Sequence, residues 1–472
     1  LQTLGIEDYG IYNVVGGVIG MVGFLNAALT SASQRFISFE LGRENHERLS
    51  GIFSAAIITH TCLAVLIFLI AETLGLWFLN TQLNIAECRM SAANWVFQCA
   101  ILTTLVSILN VPYNSLLVAN ERLDIYAYLA IANSIFKLLI VYLLLVSPWD
   151  KLITYSLLGL VVQVSFQMAY MLYCRKNFPE SRQIRKPSSE MFFQMFSFAG
   201  WSVVGNLGFS FKDQASNVIL NLFFGTAINA ARGIATQVNG IVYSFSTSFT
   251  MALNPQITKT YSAGNIQETV KMVYTSCRLT PFLMGVMCIP LMVNMEYILN
   301  LWLGNVPKYT VEFMQLTMVS AIIGCIAAPI SIALQATGKI KLFQIAISIT
   351  LLCELPCAYL ILKCGGQPYM AMFPTVVVTF IGVYVRFIIL KRMIKDYNIL
   401  RFTLDVVVRD IIVLVIAFYI SMLLYNGNSC FIDLLCNAIV SFLITSICVW
   451  FGGMRENERA IVYNKIKKKI NK

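Results

Sequence analysis

Residues 201–256 read WSVVGNLGFSFKDQASNVILNLFFGTAINAARGIATQVNGIVYSFSTSFTMALNPQ. The stretch is apolar enough to lie in a bilayer, yet it carries Lys212, Asp213 and Arg232. Its second part repeats polar groups at Asn229, Arg232, Thr236, Asn239, Tyr243, Thr247, Thr250 and Asn254. Every step is three or four residues, so these side chains share one face of a helix. Lipid does not solvate such a face; it has to meet protein or a wet cavity. The stretch reads as two consecutive membrane helices, 198–224 and 228–255, joined by a short outer turn at Gly225.

The rest of the chain has the same character. Its 472 residues are 58% hydrophobic and 12% charged, where soluble domains hold about 25% charged residues. Thirteen apolar segments stand out: 10–34, 51–79, 91–118, 124–146, 151–174, 198–224, 228–255, 271–301, 311–337, 341–363, 369–390, 403–425 and 431–452. Each approaches or exceeds the ~20 residues that cross a bilayer as a helix. The runs are long and continuous, without the alternation of a membrane barrel. The fold class is all-α, a polytopic membrane protein.

The net charge of +11 raises the possibility of a nucleic-acid partner, and its distribution removes it. If residues 35–50 are cytoplasmic and the segments alternate from there, inner loops and tail hold 24 of the 34 basic residues. The outer loops hold only Arg89, Lys151 and Lys308. This is a positive-inside pattern, and it puts the C-terminus in the cytoplasm. The 13 cysteines are scattered without a C-x-x-C pair, and His46 and His60 have no metal-ligand spacing with a partner. No phosphate-binding loop is present either, so no cofactor or resident metal is expected. The run Gly16, Gly17, Gly20, Gly23 reads as small-residue helix packing.

Landmarks recur about 220 residues apart, in one order. Leu4-Gly5 and Phe224-Gly225 each lead into a polar-striped helix, and Gly42 and Gly264 mark the inner loops that follow. Glu72…Trp77 matches Glu296…Trp302, Pro112 matches Pro329, and Asn120-Glu121-Arg122 matches Thr337-Gly338-Lys339. Basic runs at Arg175-Lys176 and Lys391-Arg392 close the two halves. The expected architecture is two parallel-repeat six-helix lobes around a central cavity, plus two C-terminal helices. The first repeat has no counterpart of 198–224 before Leu4, so its first helix is expected to be missing from this chain.

The expected organisation is an N-lobe at 1–174 and a basic cytoplasmic loop with an interfacial segment at 175–197. A C-lobe at 198–392, two extra helices within 393–452 and a basic tail at 453–472 follow. Residues 191–197 (MFFQMFS) are set apart because a helix over 191–224 would be ~51 Å long, more than one crossing needs. The tail, with Ile466 and Ile470 among lysines, suits either anionic inner-leaflet lipid or solvent.

Seven basic residues lie outside the loops. Lys363, Arg386 and Arg409 fall near segment ends, where they can snorkel. Lys137 and Lys212 fall near the midplane, where a charge is costly and needs a partner or a substrate. Asp213 and Glu354 are the available partners, Glu354 being the repeat counterpart of Lys137. Arg232 sits on the polar stripe, and Arg278 lies seven residues above Lys271 on the inner side. A weaker stripe in the first repeat runs through Asn13, Gly16, Gly20, Gly23, Ala27, Thr30 and Gln34. The candidate substrate contacts are therefore Arg232, Lys212, Lys137, Arg278, Asn229, Asn239 and Asn13. Four deep cations against two deep carboxylates predict an anionic cargo. No nucleophile, His and acid set appears, so an enzyme is not expected.

The motifs LGIEDYGIYNVVGG, SQRFISFELG, ETLGLWFLN, FFGTAINAARGIATQV, NPQITKTY and ILNLWL resemble those of Wzx-type polysaccharide flippases. These belong to the multidrug/oligosaccharidyl-lipid/polysaccharide exporter superfamily, with a MATE-like fold. The resemblance covers about residues 1–400. It implies a bacterial inner-membrane transporter that flips an undecaprenyl-diphosphate-linked oligosaccharide for O-antigen or capsule export. Its partners would be that anionic lipid-linked glycan, membrane lipid and an unspecified coupling ion. In related flippases cavity arginines and lysines bind the anionic headgroup; the resemblance carries that role to Arg232, inside the matching motif. A drug/cation antiporter of the same superfamily and a membrane glycan polymerase or glycosyltransferase are the alternative readings.

Overall fold

The computed structural model describes residues 11–12, 23–81, 85, 87–182, 189–224, 226–304, 306–456 and 458–460. Asn13, the upper half of the first stripe, Gly225 and the tail from 461 onward lie outside the described residues. All regular structure among the described residues is helical.

Two compact units divide the chain, residues 1–206 and 207–472. The first contains α1 (Gly23–Gly42), α2 (His46–Thr81), α3 (Glu87–Ala119), α4 (Leu123–Val146) and α5 (Lys151–Asn177). The next helix, α6 (Ser189–Phe224), contains the division. The second unit continues with α7 (Thr226–Ser262), α8 (Ile266–Val293), α9 (Met295–Leu303) and α10 (Thr310–Ala336). It ends with α11 (Lys341–Lys363), α12 (Pro368–Met393), α13 (Ile399–Leu423) and α14 (Phe431–Gly453). Ten of these helices are long and apolar enough to cross a membrane, and α1, α6 and α7 are not among them. Ion-paired and polar residues lower the apolarity of α6 and α7, and only residues from Gly23 onward of α1 are described.

The duplication read from the landmarks is present in the packing. In the first unit α3 packs on α1, α2 and α5, α5 packs on α4, and α1 packs on α2. In the second, α10 packs on α7, α8 and α12, α12 packs on α11, and α7 packs on α8. Each pair maps onto its counterpart in chain order. The last two helices, α13 and α14, pack on each other and on α8, outside the repeated set.

The turns repeat as well. Asn45 and Asn265 cap α2 and α8, each accepting a hydrogen bond from the amide three residues on. Before each cap stands a residue with left-handed backbone, Glu44 at φ 56° and Gly264 at φ 80°. The sequence pairs Gly42 with Gly264; the structure pairs Glu44 with it. A second matched pair ends α3 and α10: Glu121 at φ 60° and Gly338 at φ 76°. Glycine adopts this conformation without penalty, whereas glutamate clashes through its Cβ.

One expectation fails. The interfacial break at 191–197 does not interrupt the helix, because α6 runs unbroken for 36 residues from Ser189. Residues 191–197 contain neither proline nor glycine, so nothing local stops a helix there. A membrane helix need not end at the bilayer surface, and the length argument does not create a break.

Candidate substrate-contact site

Adjacent residues on α6 anchor two different neighbours. Lys212, itself buried, reaches α11, where its Nζ lies 3.3 Å from Glu354 Oε2. The other carboxylate oxygen, Oε1, accepts a hydrogen bond from Thr375 Oγ1 of α12 at 2.7 Å. Close approach of α6 to α11 is permitted by Gly208, one turn before Lys212. A Cβ there would stand 3.0 Å from Ser348 Oγ and 3.4 Å from its Cα.

Asp213 turns instead to α7. Its Oδ1 accepts from Arg232 Nη2 at 2.8 Å, and its carbonyl accepts from Nη1 at 3.3 Å. Arg232 Nη1 also donates to Asn217 Oδ1, one turn further along α6. Sequence reasoning offers both Asp213 and Glu354 to Lys212. Consecutive residues of a helix do not face each other, and the structure gives Asp213 to Arg232.

The other candidate residues are dispersed. Arg278 is buried in α8 and donates through Nη2 to Glu458, just beyond α14. Lys137 is exposed on α4, with no ion-pair partner among the described residues. The Asn229 side chain and all of Asn13 lie outside what the structure describes. Asn239 is half-buried on α7. Thus α6 supplies Lys212 and, through Asp213, the partner of Arg232, while Lys137 and Arg278 share no partner with either among the described residues. Three of the four expected deep cations are matched by a carboxylate, which narrows the anticipated positive excess.

A residue assigned to a segment end carries charge that no carboxylate offsets among the described residues. Arg386 of α12 donates from Nε to Ser331 Oγ of α10 at 3.1 Å and from Nη1 to the Gly382 carbonyl at 3.0 Å. Its guanidinium lies 5.9 Å from the Phe343 ring centroid on α11. Both hydrogen-bond acceptors are neutral. The side chain therefore turns into the second unit rather than snorkelling outward. A Gly four residues before an Arg on a helix is the signal that sequence reasoning passed over. A Cβ at Gly382 would stand 2.9 Å from Nη1.

The α7 stripe is buried at its ends and open in the middle. Arg232 and Asn254 are buried, whereas Thr236, Tyr243 and Thr247 are exposed, together with Gln237, Gly240 and Ser244. Thr236 and Thr247 donate to carbonyls of their own helix, those of Arg232 and Ser244. The exposed face of α4 is by contrast apolar, with Ile131, Ile135, Leu138 and Leu139. Around Lys137 the face of α4 suits lipid, whereas the stripe through Thr236, Gly240, Tyr243 and Thr247 on α7 suits water or polar ligand, with exposed Ile241 and Phe245 flanking it. Tyr243 on the open part lies within electrostatic range of Arg386. A guanidinium, a phenol, an amide and several hydroxyls can bind phosphate oxygens and sugar hydroxyls. Among the described residues no group of His, Cys, Asp and Glu is placed to hold a metal ion.

Comparison with known proteins places these features in context. The family model described as polysaccharide biosynthesis protein matches residues 2–261, and the MatE model matches residues 202–360. The "Uncharacterized membrane protein EpsK" of Bacillus subtilis (strain 168) is 20% identical over 305 residues, 64% of this chain and 60% of that protein. The chain thus spans about 60% of the length of this relative. An outward-facing multidrug resistance MATE family transporter of the MOP superfamily superposes with a TM-score of 0.73 at 13% identity. It covers 84% of this chain and 90% of its own. A point mutant of the Vibrio cholerae MATE transporter VcmN gives 0.70 at 16% identity over 84% and 90%. A MOP superfamily transporter from Pyrococcus furiosus, whose binding pocket is described as having reverse polarity, gives 0.68 at 13% identity over 83% and 93%. These likenesses establish a MATE-like fold.

Proposed function

This chain belongs to the polysaccharide biosynthesis protein family and is a multi-pass membrane protein; we propose that it is a transporter that flips a lipid-linked oligosaccharide between leaflets. The cargo would be an undecaprenyl-diphosphate-linked glycan, moved from the inner to the outer leaflet of a bacterial inner membrane by alternating access. The observation that carries this reading is the open polar stripe of α7 in the same unit as Arg386 of α12, a cation whose hydrogen-bond acceptors are neutral and which has no carboxylate partner among the described residues.

The physical need is plain. An unpaired charge in hydrocarbon costs tens of kcal/mol by Born estimates. A polar helix face and an unpaired cation in the same unit replace water around a diphosphate and its sugars, while the polyprenyl tail stays in lipid. An inside-negative potential assists outward movement of anionic charge by ~2.3 kcal/mol per charge per 100 mV. Pro112 and Pro329, inside α3 and α10 at matching points of the repeat, provide sites where helices can bend.

Lys212 and Arg232 enter this reading chiefly as the paired charges that hold α6 against α11 and α7. Lys137 remains a proposed headgroup contact, since an exposed ammonium in an apolar helix needs an anion or water. A drug/cation antiporter is the second reading, favoured by Asp410 of α13. This carboxylate is buried, with neither oxygen hydrogen-bonded among the described residues, an arrangement suited to binding a proton. Proteoliposomes separate the two. Translocation of a lipid-linked glycan without cationic-dye exchange supports the flippase; robust dye-for-ion exchange without glycan translocation contradicts it.

A further inference from the structure

Arg278, Lys271, Arg401 and Arg455 converge on a cavity of about 270 Å³ at the end of the second unit that carries the basic tail. The cavity lies between α8, the first turns of α13 and the segment just after α14. At ~30 Å³ per water, that volume equals roughly nine waters, enough for a phosphate group and its nearest solvent.

The site is built rather than merely basic. Tyr274 Oη donates to the Asn398 carbonyl at 3.0 Å, and Asn398 Oδ1 in turn accepts from the amides of Leu400 and Arg401. This ties the start of α13 to α8. The Arg401 guanidinium lies 5.4 Å from the Tyr274 ring centroid. Asp405 Oδ2 accepts from Arg455 Nη2 at 2.7 Å and lies 3.5 Å from Arg401 Nε. Arg278 pairs with Glu458, whose other carboxylate oxygen accepts from the Arg455 amide at 2.9 Å.

Four cations face two carboxylates, Asp405 and Glu458, which leaves two positive charges uncompensated. Arg278 is 3% exposed, and its Nε has no hydrogen-bond partner among the described residues. Lys271 is exposed. Such a surplus, with one buried guanidinium N–H, Arg278 Nε, left unpaired among the described residues, suits a bound anion. The positive-inside pattern assigns this end to the cytoplasmic leaflet, whose anionic lipids favour basic pockets between helices.

We propose that this cavity binds a phosphate group, presented by an anionic membrane lipid or free in solution. It lies apart from the α7 face and depends on neither transport reading. Occupancy would fasten α8 to α13 and to the start of the tail.

The test uses the full chain purified in neutral detergent, with bound lipid counted by native mass spectrometry. Phosphatidylglycerol, phosphatidylcholine and inorganic phosphate are the probes. The expected result is retention of phosphatidylglycerol over phosphatidylcholine, weakened about tenfold or more by Lys271→Gln/Arg401→Gln. The control Lys339→Gln/Lys395→Gln, in other basic loops, leaves retention unchanged. Arg455→Gln serves as a second variant, and thermal unfolding in detergent verifies that each protein is folded. Binding of inorganic phosphate that the same variants weaken, with no lipid preference, assigns the site to soluble phosphate. Equal binding of both probes by folded wild type and variants, or no binding of either, overturns the proposal.

Discussion

Lys212 Nζ stands 3.3 Å from Glu354 Oε2, with both side chains buried. An ion pair inside a bundle adds little net stability over apolar residues, yet losing one partner strands a charge at a cost of about 3–5 kcal/mol. Lys212→Ala and Glu354→Ala should each lower unfolding stability and membrane abundance strongly. Lys212→Met/Glu354→Leu should recover most of the loss. Thermal unfolding in detergent with immunoblot abundance measures this. A double variant as unstable as the singles would mean that the pair contributes more than mutual neutralisation.

Arg386 and Tyr243 define a different expectation. If they contact an anionic cargo, Arg386→Gln should reduce glycan translocation roughly tenfold or more, the range of a charged hydrogen bond worth about 1.5–3 kcal/mol. Arg386→Lys should retain part of the activity, and Tyr243→Phe should cost less than Arg386→Gln. Proteoliposome translocation, normalised to protein in the vesicles, reads this out. Full activity in Arg386→Gln would remove the residue from the cargo path.

The repeated left-handed turns give a stability prediction. Glu44 and Glu121 occupy conformations that glycine fills at the equivalent places in the second unit. Glu44→Gly and Glu121→Gly should each stabilise the protein by up to ~1 kcal/mol. Gly264→Ala and Gly338→Ala should destabilise it by a similar or larger amount. Melting temperatures of the four variants decide the matter.

Asp150 supplies a pH dependence outside the membrane segments. It caps α5, accepting from the amides of Leu152 and Ile153, and it pairs with Arg89 at the start of α3. Partial burial alone would raise its carboxyl, but the hydrogen bonds from Arg89 and the two amides outweigh this and hold it below the ordinary 3.8. The folded value is lower than the unfolded one, so the contribution is full above pH ~4. It is lost as pH falls through the folded value. Asp150→Ala should cost about 1–2 kcal/mol at neutral pH, as for a lost helix cap. The gap between variant and wild type should close below pH ~4, as measured by thermal unfolding across pH.

The fold class was legible because long apolar runs have few alternatives to membrane helices. The duplication was legible because turn residues and prolines recur in order, and the matched packing of α3 and α10 bears this out. Side-chain pairing was only half legible. The sequence offered both Asp213 and Glu354 to Lys212; the structure takes Glu354, because helical rotation sends neighbouring Asp213 to a different helix. Arg278 finds Glu458, 180 residues away, a pairing that periodicity cannot indicate. Arg386 was misjudged because nearness to a segment end says nothing about which way a side chain turns. Asp410 went unnoticed because it follows Arg409, which was placed near a segment end where it can snorkel. The structure buries the carboxylate and turns Arg409 Nε to the Gly452 carbonyl at 2.8 Å.

Leaflet sidedness of the lipid-linked glycan in cells lacking this protein tests the central claim most directly. The account predicts accumulation on the inner leaflet, reversed by the wild-type protein and not by its Arg386→Gln form. An unchanged distribution between leaflets in the deletion strain would contradict it.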